Sequence, residues 1–261
     1  MRFLHKIKCN LLLLQCIFII AWNSIVALIR IKLYPQSRKD PVANRGELDL
    51  LKHVQSKRTL VNYYNHTTAI KILKTLRVNY QIYFEKPFTL DPNNCYIFMS
   101  NHQSLIDIPL IGASMKGPIR LIAKKEIFKI PFLGAVMQAS EYIFIDRDHP
   151  SHDFFYHAKQ KLRSGIWLWV FPEGTRSKTG ELLPLKSGMF RLAREIGASI
   201  IPVGIIGTKN VLPKETFKLN LHQQVMLKIG QPIDTTQYSR VEMQKDLLYR
   251  VQNAIARLMV I

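Results

Sequence analysis

Cysteine is scarce in this chain, which has three among 261 residues. Cys9 and Cys16 lie in or beside an apolar N-terminal segment and Cys95 lies in a predicted strand, without the spacing of a metal site. An odd number of cysteines argues against a disulfide framework and favours a reducing compartment. The length and the 48% hydrophobic composition instead allow one sizeable core, in one domain with an appendage.

Acidic residues are also few, 18 against 37 basic ones, so the formal net charge is +19. A basic, solvated surface explains part of this excess, and the rest favours an anionic partner: a phospholipid surface, a nucleic acid or an acidic protein. The chain lacks a recognisable nucleic-acid-binding motif, and its basic residues are spread along the sequence instead of forming one arm. We therefore expect no nucleic acid among the partners.

One long run, 11–29, lacks any formal charge. As a helix it would reach ~28 Å, close to the ~30 Å thickness of the hydrocarbon core of a bilayer. A cleaved signal peptide is disfavoured because the run is too long and no A-x-A site follows it. Basic residues flank both ends, so the positive-inside rule assigns no orientation. A spanning helix and one lying in the interface both remain open, and Trp22 with Asn23 and Ser24 inside the run favours shallow insertion.

The next segment is polar over 36–56 and is predicted to be a linker, followed by a helix over 57–80. An apolar stripe with helical spacing, surrounded by lysine and arginine, consists of Ala69, Ile72, Leu73 and Leu76. This stripe indicates either a helix packed on the core or one lying at a membrane interface. We divide the chain into a hydrophobic membrane-associating segment (1–34), a linker with an amphipathic helix (35–84) and an α/β domain (85–261).

From residue 85 onward, short apolar runs alternate with helical patterns, which is typical of an α/β domain with helices on both faces of a sheet. The predicted strands are 95–100, 119–123, 141–146, 166–171, 199–206 and 225–229. The predicted helices are 104–115, 124–139 with a break at Pro131, 151–164, 187–197 and 236–259.

Two polar blocks follow predicted strands, which is where α/β sheets place their sites. His102 and Asp107 come directly after the strand 95–100, an arrangement in which the carboxylate can orient an imidazole that acts as a general base. On its own this spacing favours a hydrogen-bonded structural histidine. The block 171–177, which reads Phe-Pro-Glu-Gly-Thr-Arg-Ser after another apolar run, changes that preference.

Together these blocks resemble the glycerolipid acyltransferase family. Its first block is Asn-His, four residues, then Asp, and its third block stands unchanged at 171–177. Residues 144–147 match the end of the second block and 201–203 match the short proline block. The resemblance implies a single α/β acyltransferase domain with a mixed sheet flanked by helices, preceded by N-terminal membrane-associating helices.

The resemblance also implies a function. We expect a membrane-associated O-acyltransferase that moves a fatty acyl group from acyl-CoA or acyl carrier protein to lysophosphatidic acid, giving phosphatidic acid. His102 is the expected base and Asp107 its orienting partner, and no metal or redox cofactor is required. The expected partners are the lysophospholipid acceptor, a thioester donor and an anionic membrane. The donor could be an acidic acyl carrier protein. We expect the catalytic domain on the cytoplasmic side of the membrane.

The remaining site residues are expected to bind substrate. Arg147 and Arg176 are the predicted anchors of the acceptor phosphate, because a guanidinium offers a planar fork of donors, and Lys124 is a third candidate. Surface solvation is the alternative for Lys124, and pairing with a neighbouring aspartate is the alternative for Arg147. The tight turn after Phe171 contributes Glu173, Gly174 and Thr175.

Within this turn, Gly174 allows a positive φ and a backbone close to a ligand. The backbone amides of the turn could meet a developing oxyanion or the phosphate. Glu173 is expected to orient either the acceptor hydroxyl or Arg176, and Thr175 to brace the turn. Lys186, before a predicted helix, is a further possible phosphate contact.

One departure from the family pattern is Glu141, which stands where the second block usually opens with glycine. A carboxylate there would repel the phosphate unless it points away or neutralises Lys124. The acceptor could therefore be another lysolipid or glycerol 3-phosphate.

More distant alternatives are an esterase with Ser104 or Cys95 as nucleophile, although neither lies in a G-x-S-x-G elbow, and a non-catalytic membrane-binding protein. A metal site at His149 and His152 is less well supported than solvated loop histidines.

Overall fold

The protein is described here by a computed structural model, which covers residues 2–33, 57–91, 93–130, 133–146, 152–216, 218–238 and 240–260. Within these ranges, eight α-helices are α1 (Arg2–Leu33), α2 (Lys57–Thr75), α3 (Asp107–Ser114), α4 (Leu133–Ala139), α5 (His152–Arg163), α6 (Gly188–Ile196), α7 (Thr208–Val211) and α8 (Gln244–Leu258). Seven strands in the same ranges are β1 (Asn79–Phe84), β2 (Tyr96–Ser100), β3 (Ile119–Lys124), β4 (Ile143–Ile145), β5 (Trp167–Val170), β6 (Ser199–Ile206) and β7 (Gln224–Ile229). The predicted linker 36–56 lies outside the described residues.

The seven strands form one mixed sheet in the order β1-β7-β6-β2-β5-β3-β4. The pairs are parallel except for β6 and β7, which run antiparallel. Met99 of β2 pairs with Val170 of β5 and with Pro202 of β6, so the carboxyl ends of these three strands lie side by side. The two polar blocks that follow β2 and β5 are therefore neighbours at one edge of the sheet. The predicted α/β class with a mixed, helix-flanked sheet is confirmed.

Helices cover both faces of the sheet, and the alternation of side chains along β2 shows which face each residue serves. Phe98 is in the core with α2 and α3, whereas Ile97 and Met99 are in the core with α5, α6 and α8. Strands buried on both faces are continuously apolar, as β2 is from Tyr96 to Met99. Phe98 also stacks on Trp169 of β5, with ring centroids 5.2 Å apart.

The helix α1 has an unusual distribution of side chains. Its buried face consists mainly of small or polar residues, namely Cys9, Cys16, Asn23, Ser24, Ala27 and Ile31. Its exposed face consists of large apolar residues, namely Ile7, Leu11, Leu14, Ile17, Phe18, Trp22, Ile29 and Leu33. By length and composition, its part Ile7–Leu33 is able to cross a membrane.

Contacts fix α1 to the rest of the molecule near both of its ends. The thiol of Cys9 donates to the carbonyl oxygen of Leu219 at 3.4 Å. Ala27 and Ile31 pack with residues of α2 and α4. The apolar stripe of α2 also belongs to the core, with Leu73 fully buried and Ala69 and Leu76 nearly so. Of the two interpretations of this stripe, packing against the core is therefore the one that agrees with its position.

Most predicted elements are present, and the differences have local causes. The six predicted strands correspond to β2–β7, but β1 was not predicted, and it places the start of the sheet before residue 85. The helix predicted over 57–80 ends at Thr75, because Arg77 adopts a left-handed φ of 52° and the amide of Val78 donates to the carbonyl oxygen of Leu73. The segment predicted as helical over 124–139 with a break at Pro131 consists of the 3-10 helix Lys125–Lys129 and of α4, which begins at Leu133, and α8 starts at Gln244 instead of 236.

Candidate active site

His102 lies just beyond β2, and its imidazole is paired with Asp107 in the first turn of α3. The distance from Nδ1 of His102 to Oδ2 of Asp107 is 2.7 Å. The same oxygen accepts the backbone N–H groups of Gln103, at 2.7 Å, and Ser104, at 3.0 Å. Asp107 is completely buried and His102 nearly so. Because a carboxylate only accepts, Nδ1 carries the proton and Nε2 keeps its lone pair for a proton from another group.

The backbone of His102 is held by the turn that follows β5. Its N–H donates to Oε1 of Glu173 at 2.6 Å, and its carbonyl oxygen accepts from the N–H of Ser177 at 2.7 Å. The other carboxylate oxygen of Glu173 accepts the N–H of Leu183 at 3.0 Å. The ring of Phe171 stacks on the imidazole, with centroids 3.8 Å apart. One turn therefore holds both the ring and the main chain of His102.

Glu173 is a buried carboxyl group with an altered pKa. Burial raises the pKa to about 7, although the hydrogen bonds from Leu183 and His102 act in the opposite direction, and the charge of Asp107 adds to the increase. Both oxygens accept backbone N–H groups. The carboxyl group therefore braces the base in the structure.

Gly174 and Thr175 shape the turn. Gly174 has a φ of +72°, a left-handed conformation in which a side chain would be strained, and a Cβ there would also displace the end of the flexible Lys186 side chain, whose Cε would lie 2.9 Å away. Thr175 is exposed, and its hydroxyl accepts a hydrogen bond from Nζ of Lys214 at 3.3 Å. Arg176 is half-buried, and none of the described acidic residues forms an ion pair with its guanidinium.

Lys124 and Arg147 are the other predicted phosphate anchors. Lys124 ends β3 with a side chain that is 46% exposed and an ammonium 3.5 Å from the carboxylate of Glu126. Arg147, Asp148 and His149 lie outside the described residues, so the structure does not describe an Arg147 anchor or a site at His149.

Glu141 pairs with two cationic side chains, and neither of them is Lys124. Its carboxylate lies 2.9 Å from Nε of Arg58 on α2 and 2.9 Å from Nζ of Lys161 on α5. Burial raises the pKa of this carboxyl, but the hydrogen bonds and charges of Arg58 and Lys161 outweigh burial and lower it to about 2. The φ of 64° at Glu141 is left-handed, a conformation that glycine adopts without strain.

The two candidate nucleophiles are poorly placed for covalent catalysis. Ser104 is completely buried, donates to the carbonyl oxygen of Leu212 at 2.7 Å and accepts the N–H of Ile106 at 3.2 Å. Cys95 precedes β2, whereas His102 follows it, so a strand of five residues at ~3.3 Å each separates them. Burial also raises the pKa of the Cys95 thiol.

Further residues support the site through contacts that the sequence does not indicate. Asn101 exchanges two hydrogen bonds with the backbone of Ile205, at 2.8 and 2.7 Å, and so extends the pairing of β2 with β6. Nε2 of Gln103 donates to the carbonyl oxygens of Ile205 and Gly180. Lys214 donates to the backbone of Arg176 at 2.7 Å. These contacts join residues that are 38 to 104 positions apart in the chain, so no local pattern predicts them.

An apolar pocket of about 130 Å³ is lined in part by the turn after β5. Its wall includes Phe171, the residue that stacks on His102. The remaining apolar lining comes from Ile122, Ile145, Phe154, Val170 and Met189, among others. Gly174 and the exposed Lys186 also line it, so an apolar space adjoins a cationic group and shares the Phe171 side chain with the His102–Asp107 pair. Fold and site together define a protein of the α/β class, with a buried His–Asp pair beyond a central strand and an apolar pocket near it.

Comparison with known proteins agrees with this class. The family model described as Acyltransferase matches residues 81–206. An uncharacterized acyltransferase of Schizosaccharomyces pombe is 33% identical over 183 residues, which cover 68% of this chain and 65% of that protein. The 1-acyl-sn-glycerol-3-phosphate acyltransferase of Escherichia coli is 30% identical over 170 residues, which cover 61% of this chain and 65% of that protein.

A solved structure has the same fold. The crystal structure of the 1-acyl-sn-glycerophosphate (LPA) acyltransferase PlsC from Thermotoga maritima matches with a TM-score of 0.76 and 27% identity, covering 97% of this chain and 95% of that chain. The family model, the curated relatives and the solved structure together identify an acyltransferase domain in this chain, at residues 81–206. The chain spans less than two thirds of the length of the curated relatives above, 65% in each case.

Proposed function

We propose that the chain is a membrane-associated O-acyltransferase that transfers a fatty acyl group from a thioester to lysophosphatidic acid, giving phosphatidic acid. The observation that carries the proposal is the 2.7 Å contact between His102 and the buried Asp107, beside an apolar pocket. The names of the relatives support the acceptor, since the E. coli protein is a 1-acyl-sn-glycerol-3-phosphate acyltransferase.

The proposed chemistry begins with the acceptor hydroxyl. Nε2 of His102 takes its proton while the oxygen attacks the thioester carbonyl carbon, and the charge of Asp107 stabilises the imidazolium. The C–S bond then breaks, and the thiolate of the donor leaves with the proton from Nε2, so atoms and charge balance. General-base catalysis by a positioned group typically contributes ~10²–10⁴ in rate. The chain's own residues supply the base, and no metal is required by this sequence of steps.

Substrate binding is divided between the cationic turn and the apolar pocket. The guanidinium of Arg176, which forms no ion pair with the described acidic residues but interacts through its charge with Glu215, is proposed to bind the acceptor phosphate, helped by Lys124 and Arg147. The fatty chain is proposed to enter the pocket next to Phe171. Acyl-CoA and acyl carrier protein both suit a chain with a net charge of +19, because both donors are acidic.

The helix α1 is proposed to lie in one leaflet of an anionic bilayer. Its large apolar side chains face outward, and its opposite face contacts Leu219 near one end and α4 near the other. A helix that crossed the bilayer would have to give up one set of these contacts. We place the catalytic domain on the cytoplasmic side, where cysteine thiols such as those of Cys9, Cys16 and Cys95 stay reduced.

The test is transfer by purified protein in vesicles, with acyl-CoA and acyl carrier protein each offered as donor. Lysophosphatidic acid, other lysophospholipids, glycerol 3-phosphate and water compete as acceptors. We expect phosphatidic acid as the main product, and His102→Ala should lower kcat by at least ~10². Asp107→Asn should also lower kcat, because the neutral amide loses the charge that stabilises the imidazolium form of His102.

As a control, Asp107→Asn should keep the wild-type fold, because an asparagine oxygen at position 107 still accepts the N–H groups of Gln103 and Ser104. Circular dichroism and thermal unfolding of Asp107→Asn should match the wild type. Full transferase activity of His102→Ala would exclude the mechanism. A preference for another acceptor would exclude the substrate and leave the base in place.

A further inference from the structure

The peptide unit between Arg176 and Ser177 is held at both of its polar ends. Its N–H, which belongs to Ser177, donates to the carbonyl oxygen of His102 at 2.7 Å. Its carbonyl oxygen, which belongs to Arg176, accepts from Nζ of Lys214 at 2.7 Å. A rotation of this peptide plane would break both hydrogen bonds. The orientation of the Arg176 main chain relative to the general base is therefore determined in part by Lys214.

Lys214 is well suited to this contact. Its side chain is only 17% exposed, and its ammonium also donates to the hydroxyl of Thr175 at 3.3 Å. The nearest acidic group, the carboxylate of Glu215, is 3.9 Å away and is bound more closely by Lys178, at 2.7 Å. The principal partner of the Lys214 ammonium is thus the Arg176 carbonyl oxygen. Hydrogen bonds from charged donors are roughly twice as strong as neutral ones.

The segment that carries Lys214 is itself tied to the His102 loop. Two residues before Lys214, the carbonyl oxygen of Leu212 accepts from the hydroxyl of Ser104 at 2.7 Å, and both residues are buried. Three loops therefore bind one another in pairs: the loop after β2, the turn after β5 and the segment after α7. An anchor mounted on such a closed set of contacts keeps its distance from the base, which is what orientation in a bound complex requires.

We propose that Lys214 is a positioning residue for the anionic group of the acceptor. It orients the Arg176 peptide, and through it the guanidinium, toward the phosphate of an acceptor whose hydroxyl must reach Nε2 of His102. The proposal rests on the proposed function for the identity of that phosphate ester. Lys214 acts through Arg176 and does not itself contact substrate.

The kinetic experiment compares Lys214→Met with Lys214→Arg, with the thioester saturating and lysophosphatidic acid varied. Loss of the charged donor should raise KM for the acceptor about tenfold, equivalent to the ~1.5 kcal/mol of such a hydrogen bond, with kcat within about twofold of the wild type. Arginine restores a cationic donor and should return KM to within about threefold. In an Arg176→Met background, Lys214→Met should change KM less than about twofold.

The matched control is Lys209→Met. Lys209 also donates its ammonium to a backbone carbonyl oxygen of the same turn, that of Thr179, but three residues beyond Arg176. Its loss should leave KM within about twofold. Equal effects of the two lysine variants, or additivity of Lys214→Met with Arg176→Met, would assign Lys214 a general structural role and overturn the proposal.

A second measurement does not depend on transferase activity. An arginine-specific protease should cleave the Arg176–Ser177 bond of Lys214→Met about tenfold faster than that of the wild type, because local opening becomes easier. Lys209→Met should leave cleavage at this bond unchanged, with mass spectrometry identifying the fragments. An inactive wild type would refute the proposed function, whereas an unchanged cleavage rate in Lys214→Met would refute the positioning of this peptide.

Discussion

At the residue scale, the candidate base is restrained on every side except one. Asp107 holds Nδ1 of His102, Phe171 covers one face of its ring, and Glu173 and Ser177 bind its backbone N–H and carbonyl oxygen. The remaining polar atom, Nε2, is the one that the proposed reaction uses. Such a restrained group loses little orientational freedom when substrate binds.

Glu173 has the raised pKa that makes a pH test possible. A carboxyl whose pKa is about 7 in the folded state and 4.5 as a free group binds more protons when folded between these values. Its contribution to stability is therefore fully present below pH 4.5 and is lost as pH rises through about 7, by at most on the order of 3 kcal/mol. We expect Glu173→Gln to remove this decrease in the free energy of unfolding, measured by denaturant titration at several pH values.

The slope of stability against pH is the relevant quantity, because the glutamine amide also changes the absolute stability by turning an N–H toward His102 or Leu183. Parallel curves for the wild type and Glu173→Gln between pH 4.5 and 7 would contradict the assignment of this titration to Glu173.

At the element scale, one ionic cluster joins a helix of the N-terminal part to the α/β sheet. Arg58 at the start of α2 binds the carboxylate of Glu141 before β4 and the hydroxyl and carbonyl oxygens of Ser164 after α5. Lys161 of α5 completes the pairing. Glu141, the departure from the family pattern, thus has a left-handed backbone conformation, and its side chain links α2 to α5 through two ion pairs.

Substitution of Arg58 should show how much this ionic cluster contributes to the free energy of unfolding. Arg58→Met leaves the half-buried Glu141 with Lys161 alone and removes the hydrogen bonds to Ser164, so the free energy of unfolding should fall by about 1–2 kcal/mol. The control is Arg257→Met, whose ion pair with Glu85 involves an arginine side chain that is 67% exposed, and it should cost less than ~0.5 kcal/mol. Equal losses in denaturant unfolding would rule out a special role for the Arg58 cluster.

At the scale of the whole molecule, the sheet brings the site together and α1 gives the protein an apolar side. The order of the strands places β2 between β5 and β6, so the loops after these strands meet although they are far apart in the chain. The apolar residues of α1 lie on a surface that water would not favour, which fits a lipid partner. The acceptor and the product of the proposed reaction are themselves lipids.

The membrane face can be tested with matched aromatic residues. Phe18 on α1 and Tyr249 on α8 are both 67% exposed. Phe18→Asp should lower the partition of the protein into anionic vesicles at least about tenfold, because insertion of a phenylalanine contributes ~1.5–3 kcal/mol. Tyr249→Asp, which adds the same charge elsewhere, should leave the partition within about twofold in a vesicle sedimentation assay. Equal losses for both variants would show that charge, not the α1 face, controls binding.

Local patterns predicted much of the fold because most of its elements have regular patterns. The buried strands β2, β5 and β6 are continuous apolar runs, and α8 has a clear apolar stripe, so each was identified from its own residues. The strand β1 was missed because its first two residues were assigned to the helix predicted over 57–80, and because it lies at the edge of the described sheet, beside β7. Its structure depends on a partner about 140 residues away, which periodicity does not contain.

The chain by itself determined the class of fold, the spacing of His102 and Asp107 and the family blocks, because strand periodicity and a His–Asp pair five residues apart are local properties. Only the tertiary structure decided that Glu173 binds the backbone of His102, that Glu141 pairs with Arg58, and that Lys214 holds the peptide of Arg176. The reason is physical: these contacts join loops that are adjacent only because β5 and β6 flank β2 and because α2 packs on the sheet.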